Sequence, residues 1–397
     1  MIGPQEALEI VLGQAPRLDA VLVPLAEAAG CVLAERAQSD IDLPPFDKSA
    51  MDGYSVRAAD VQRLPADLAV IESLPAGTAP ARPLAPGTCA KTMTGAPVSP
   101  GADLVVPLED TQALLDGRVR ILRADVGRTH ICVRGEDVRR GETVLEAGRP
   151  LRPQEIALLA SVGRDPVPVF RRPRVAVLAT GEELVPVSAV PGPGQIRNAN
   201  SSSLLACCRA AGAAADDLGV ARDERADLRA KIADGLTRDV LVVSGGVSMG
   251  EWDFVPKVFE EAGVAVRFAT VSMKPGKPTV FGTCGGRLVF GLPGNPVSTL
   301  VGFRFFVRPA LRKMMGHPDP APQLLDARLL APVKAKDERT TFVPALLRYA
   351  ADGWSATPLS THGPADLVGF SKADGLIILE PGAYETGARV KALLLDF

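Results

Sequence analysis

A chain of 397 residues with 44 basic and 46 acidic side chains, a formal net charge of −2, has room for two to four domains at a typical size of ~150 residues or less. Its weak overall field excludes nonspecific nucleic-acid or anionic-membrane binding, and an aromatic content of 5% leaves few platforms on which single-stranded bases could stack. With 38 glycines and 35 prolines the chain turns too often for a coiled coil or helical solenoid, while 47% hydrophobic residues suffice for several cores.

In chain order, residues 4 to 36 read as two helices, the first carrying Pro4 in its first turn with Ala7, Leu8, Val11 and Leu12 at helical spacing, the second starting at Pro24. The segment from Ile41 to Arg139 breaks into short β-rich runs such as LAVIES, DLVVPLED and RVRIL, and RPQEIALLASVG at 152–163 returns to helix. These segments predict a discontinuous helical domain over 1–40 and 140–170 with a β domain, 41–139, inserted into it. Strand and helix then alternate, and continuous apolar runs such as Val240 to Val243 suit strands covered on both faces, so residues 171–318 are expected to form a parallel α/β domain. Residues 319–397 are β-rich again and predict a small barrel or sandwich. The fold class expected is multidomain α/β. The six cysteines form no CxxC and no regular framework, arguing against disulfides and a zinc site. MIGPQEALEIVLG has no basic leader, and no apolar run approaches the ~20 residues of a membrane span. A cytoplasmic protein is expected.

In an open parallel sheet, ligands bind at the carboxyl ends of the strands. Three glycine-bearing loops follow strand candidates here: ATGEEL at 179–184, SGGVSMGEWD at 244–253 and GLPGNPVS at 291–298. Glycines at such places let backbone N–H groups approach an anion, and one loop alone could equally be an ordinary strand-to-helix turn. MKPGKP at 273–278 holds Lys274 and Lys277 on a stiff turn suited to an oxyanion or polyphosphate. Glu182, Glu183, Asp223, Glu251 and Asp253 lie on or near the same loops, the arrangement of acids beside phosphate-cradling glycines that magnesium uses. His130, His317 and His362 form no ligand-like cluster, and no Walker A sequence is present. Gly246-Val-Ser248-Met-Gly250 matches the nucleophile elbow of serine hydrolases, but the strand is expected to end at Val243, which would leave a wide loop where an elbow needs a sharp turn.

The motifs PPFDKSAMDGYSVR (44–57), TMTGAPVSPGADLVVPLED (92–110), VRGEDV (133–138), LATGEEL, SGGVSMGEWDF, MKPGKPTVFG and GLPGNPVSTL resemble those of the molybdopterin molybdenumtransferases, which include the bacterial MoeA proteins and the E domain of gephyrin. Their order along essentially the whole chain is what makes the resemblance specific. It implies the same four-part subunit, and a homodimer whose cleft forms between the α/β domain of one subunit and the inserted domain of the other. It also implies the reaction: adenylylated molybdopterin and molybdate are the substrates, molybdenum enters the dithiolene and AMP leaves, with Mg²⁺ assisting. A molybdopterin adenylyltransferase and recipient molybdoenzymes are the expected protein partners.

Carried over by that resemblance, Glu183 and Asp253 are the metal or water partners. Lys274, Lys277 and Ser298 form the molybdate pocket, walled by Pro278, Pro293 and Pro296. Gly245, Gly246 and Ser248 cradle the pterin phosphate beside Gly181, Ser244 and Gly294, and Thr180 and Asp223 line the rim. Asp52, Thr94 and Asp137 are the functional residues of the inserted domain. The chain departs from the pattern at Arg134, the single arginine before GED, and at Pro344, where relatives commonly carry arginine; Arg339, Arg348 and His362 are the available substitutes. Two other readings are a catalytically silent molybdopterin-binding scaffold, whose sign would be lost acids or lysines, and the adenylyltransferase, against which AMDGY and the inserted domain count.

Overall fold

The computed structural model describes residues 1–222, 224–247, 255–336 and 338–396, and these fall into two compact units. One comprises Arg36–Ala147 and Pro153–Asp165, the other Met1–Glu35, Gly148–Arg152 and Pro166–Phe397.

In the first unit six strands form one sheet in the order Leu104–Pro107, Gly53–Val56, Thr88–Thr92, Ala66–Leu74, Arg118–Ile121, Thr111–Ala113. All neighbours are antiparallel except Ala66–Leu74 and Thr88–Thr92. Tyr54, Val56, Leu68, Cys89, Leu104, Val106, Val119 and Ile121 make its core. Gly53 of the AMDGY motif is required by the pairing, because a Cβ there would lie 2.1 Å from the Val106 carbonyl oxygen. The helix expected after residue 152 spans Pro153–Ser161, with proline at its first position.

In the second unit the central sheet runs Ala214–Ala221, Arg174–Thr180, Val240–Ser244, Arg287–Leu292, Val280–Cys284, Ala265–Phe268. Val240 and Val242 enter one core with Val175, Val177 and Phe290, whereas Leu241 and Val243 enter the opposite core with Ala176, Leu178 and Phe259. That double burial is why the run is apolar at every position. The first four strands are parallel, and Val280–Cys284 runs against both of its neighbours, so the expected parallel α/β sheet contains one reversed strand and is mixed. Gly285 and Gly286 carry φ of +55° and +81° between the paired Cys284 and Arg287, the two-residue hairpin turn that reverses the chain.

The helix Pro4–Gln14 forms as expected and buries Ala7, Leu8 and Val11 in the same core as Val175 and Phe303. The second helix expected from Pro24 does not form. Only a single 3₁₀ turn, Leu25–Glu27, is made; Gly30 then turns at φ +77°, and Val32 and Leu33 continue in extended bridges to Pro150 and Val169. A residue in that left-handed region ends a right-handed helix.

The C-terminal strands Thr340–Ala350, Gly353–Pro358, Leu325–Leu329, Arg389–Leu394 and Gly375–Leu379 close into a five-stranded barrel, the last pairing back to the first. Met273–Lys274 adds a short strand parallel to the start of Thr340–Ala350, which seats the lysine turn against the barrel. No helix among the described residues is long and apolar enough to cross a membrane.

Candidate functional site

Arg174–Thr180 is the first of the parallel strands, with the second on one side and the third, Val240–Ser244, on the other. Loops leave in opposite directions at such a point and open a crevice at the carboxyl ends. A cavity of about 450 Å³ lies there, lined by the strand ends Thr180–Gly181 and Ser244–Gly246, by Glu183, by the segment 196–200, and by Gly294, Asn295 and Pro296.

The glycines are imposed by close approach. Gly245 and Gly246 sit at φ +96° and +64°, and a Cβ on either would stand 2.6 Å from Thr180 O or 2.8 Å from Thr180 Oγ1. Gly181, at φ +141°, has the Glu183 carboxylate folded over it, 2.5 Å from where a Cβ would be. Thr180 is 6% exposed, and its Oγ1 has no hydrogen-bond partner among the described residues. Buried hydroxyls without partners are uncommon, so the group is available to a ligand.

Three asparagines complete this cavity. Asn200 Nδ2 donates to Ser244 Oγ and to Gly294 O, both at 2.8 Å, tying two of the glycine loops together. Asn198 Oδ1 accepts from Ser201 N and caps the twelve-residue helix Ala199–Ala210, whose N-terminus adds partial positive charge. Asn295 stands on the third loop. Arg197 also faces the cavity, its Nε bonded to Ala189 O at 3.0 Å. Sequence reasoning passed over 197–200, although Asn-x-x-Ser ahead of SLL is a helix N-cap pattern.

A second cavity, of about 480 Å³, lies on the other side of the LPGNP turn and shares Asn295 with the first. Lys274, Lys277, Pro278, Pro293 and Ser298 line it, and the barrel supplies Arg339, Thr341 and Pro344; none of the described lining residues is acidic. Both turns are braced by buried threonines. Thr279 Oγ1 donates to Gly276 O at 2.7 Å, and Thr299 Oγ1 donates to Pro293 O at 2.5 Å and to Asn295 O at 3.1 Å. Of the substitute cations, Arg339 reaches this cavity. Arg348 is paired with Asp374, and His362 is a fully exposed partner of Asp366.

In the other unit Thr94 donates to Asp52 Oδ1 from both its backbone N and its Oγ1, each at 2.7 Å. These two bonds hold the Asp52 carboxyl below the usual carboxylate range. Asp137 stands on a different turn, its N–H donating to Leu43 O at 2.9 Å. Arg134 donates from Nε to Asp42 at 2.6 Å and from its backbone N to Asp47 at 2.7 Å. Asp223, Ser248, Glu251 and Asp253 lie outside the described residues.

Residues 2–163 match the MoeA N-terminal region (domain I and II), residues 176–313 the "Probable molybdopterin binding domain", and residues 326–395 the MoeA C-terminal region (domain IV). The chain is 37% identical over 409 residues to molybdopterin molybdenumtransferase 2 of Mycobacterium tuberculosis strain H37Rv, with all of both chains covered. It is 35% identical over 374 residues to the molybdopterin molybdenumtransferase of Bacillus subtilis strain 168, covering 91% of this chain and 87% of that one. Among solved structures it is similar to a molybdopterin biosynthesis MoeA protein from Pyrococcus horikoshii, with a TM-score of 0.83, 33% identity and coverage of 100% and 99% of the two chains.

Proposed function

The chain belongs to the molybdopterin molybdenumtransferase family, and from that membership we propose that it inserts molybdenum, supplied as molybdate, into the dithiolene of adenylylated molybdopterin with release of AMP. The observation that carries this reading is the pair of cavities meeting at Asn295, one lined mainly by glycine backbone and neutral polar groups with Glu183 and Arg197, the other by Lys274, Lys277 and Arg339 with no acid among its described lining residues. A phosphorylated pterin and a tetrahedral dianion need those two environments side by side.

In this mechanism Gly245, Gly246 and the capped helix at Asn198 receive phosphate oxygens, while the Thr180 hydroxyl supplies a hydrogen bond at the rim. Lys274, Lys277 and Ser298 hold molybdate on a turn whose prolines have met the ordering cost before binding. The walls at Pro278, Pro293 and Pro296 limit the room for water. Glu183 is a hard carboxylate oxygen donor at the edge of the amide-lined cavity, and magnesium is commonly held by one or two carboxylates with phosphates and water. The donor set therefore fits, and Glu183 would hold the ion together with Asp253, which lies outside the described residues. When bound, magnesium neutralises charge on the departing AMP. Asp52, Thr94 and Asp137 act from the inserted domain of the second subunit of a homodimer. All six cysteines are free, which suits a reducing cytoplasm. The molybdopterin adenylyltransferase that makes the substrate and the molybdoenzymes that take the product are the protein partners.

The test is AMP release by the purified protein given adenylylated molybdopterin and Mg²⁺, with and without molybdate, coupled to activation of an apo molybdoenzyme. Molybdate-dependent release with activation is expected. Tight substrate binding with no release would favour a scaffold, and consumption of ATP with free molybdopterin would favour an adenylyltransferase.

A further inference from the structure

The helix that begins at Pro296 passes through a π turn, Phe303–Val307, and continues as Arg308–Met314. π turns re-aim side chains within a helix and are frequent at functional sites. Here the turn carries Arg304, and Arg308 and Arg312 follow on successive turns. The Arg304 side chain is 4% exposed and that of Arg308 15%. Asp396, 62% exposed, meets Arg304 Nη2 at 2.5 Å and Arg308 Nη2 at 3.3 Å. Leu394 O accepts from Arg304 Nε at 3.1 Å, and Asp319 O accepts from Arg312 Nη2 at 3.2 Å. Against three guanidinium groups, Asp396 is the one carboxylate within ion-pair distance among the described residues.

The donors are also in excess. Arg304 Nη1, Arg308 Nε, Arg312 Nε and, beside them, His317 Nδ1 are all buried without a hydrogen-bond partner among the described residues. Guanidinium stays charged inside a protein, so these N–H groups need an acceptor and the surplus charge needs a counter-ion. We propose that Arg304, Arg308 and Arg312 form a binding site for a small tetrahedral oxyanion, separate from both cavities of the catalytic region. Four oxygens arranged on one dianion can accept from the several guanidinium N–H groups that Asp396, already bonded to Arg304 and Arg308, leaves unmet. With its side chain 4% exposed, Arg304 is out of reach of a polymer phosphate, so the proposed ligand is a free ion. Burial and the charges of Arg312 and Arg308 push His317 down to about 4, and an anion seated among them would raise it. Asp319 and Asp396 are the acids that face the arginines.

The test uses the full chain in gluconate buffer free of sulfate, phosphate and molybdate, with labelled histidine rings followed by NMR. Only three histidines are present, and His317→Gln assigns the relevant signal. Sulfate, phosphate and, at neutral pH, molybdate are titrated at constant ionic strength. A saturable shift of the His317 signal and a rise of its titration midpoint in sulfate are expected, with at least tenfold weaker binding in Arg312→Gln and unchanged binding in the Lys274→Ala/Lys277→Ala variant. A response to all three ions makes the site general for tetrahedral oxyanions, and a response to molybdate alone identifies the enzyme's own substrate as its ligand; either supports the proposal. Absence of a saturable shift overturns it, as does a shift lost in the lysine variant but retained in Arg312→Gln. Should Arg312→Gln fail to fold, Arg308→Lys serves in its place.

Discussion

The two cavities that meet at Asn295 present contrasting linings. The one at the strand ends offers backbone amides, a helix N-terminus, asparagines and the Thr180 hydroxyl, with Arg197 and Glu183 at its wall and glycine backbones pressed against Thr180. The one on the lysine turn offers Lys274, Lys277 and Arg339 on a frame of prolines and buried threonines. Dipoles fixed in the backbone discriminate by shape, because a displaced ligand loses several bonds at once. Point charges discriminate mainly by valence and size. A large phosphorylated pterin suits the first, a compact dianion the second.

Damage to the amide-lined cavity should have the largest effect. Gly245→Ala places a Cβ 2.6 Å from Thr180 O at a positive φ, so AMP release should fall by roughly 10²-fold or more, the size of loss seen when preorganised backbone donors are removed. Circular dichroism must show a retained fold for that loss to count against substrate binding. Lys277→Ala should instead raise the KM for molybdate by about tenfold, equivalent to one charge-assisted contact, and leave affinity for adenylylated molybdopterin within twofold. If both substrates weaken together, the division of labour between the cavities is wrong. Asn200→Ala removes the brace between Ser244 and Gly294 and should reduce kcat/KM for both substrates by a few-fold, since it touches the spacing between the two sites.

Smaller effects follow from titration. Asp52 is held below its ordinary range by its two bonds from Thr94, so the stability it contributes is present above the unfolded carboxylate pKa and is lost as pH falls through the folded one. Thr94→Ala removes the hydroxyl bond, and the Asp52 midpoint, read by NMR, should move up towards 3.8. His317 is held neutral by burial and by neighbouring arginines, down to about 4 from 6.5. Folding stability should therefore decline as pH falls from 6.5 towards 4, and His317→Gln should flatten that decline in denaturant titrations. An unchanged slope would place the acid sensitivity elsewhere.

Much of the site was legible because its chemistry resides in local turns. ATGEEL, the SGG that ends Val240–Ser244, MKPGKP and LPGNP are short turns, and their glycine positions can be read without knowing what lies opposite. Asn198, Asn200 and Arg197 were not legible, since the short pairing of Leu184–Val185 with Ile196–Arg197 is what brings that segment to the cavity. The false helix after Pro24 has a similar cause. Its alanines and leucines carry helical periodicity, but Val32 and Leu33 are claimed by Pro150 and Val169, residues more than a hundred positions away. The reversed strand Val280–Cys284 of the central sheet could have been read from Gly285-Gly286, which mark a hairpin rather than a helical crossover.

The sequence by itself determined the order of β, α/β and β segments, the doubly buried strand at Val240–Val243 and the glycine- and proline-bearing turns that line the cavities, because periodicity and turn residues act over a few neighbours. Only the tertiary structure decided that one proline turn separates two cavities, that the barrel lends Arg339 to the lysine turn, and that Arg304 and Arg308 share the Asp396 carboxylate. Those outcomes depend on which distant groups come to rest within hydrogen-bond distance and how much water burial removes from between them.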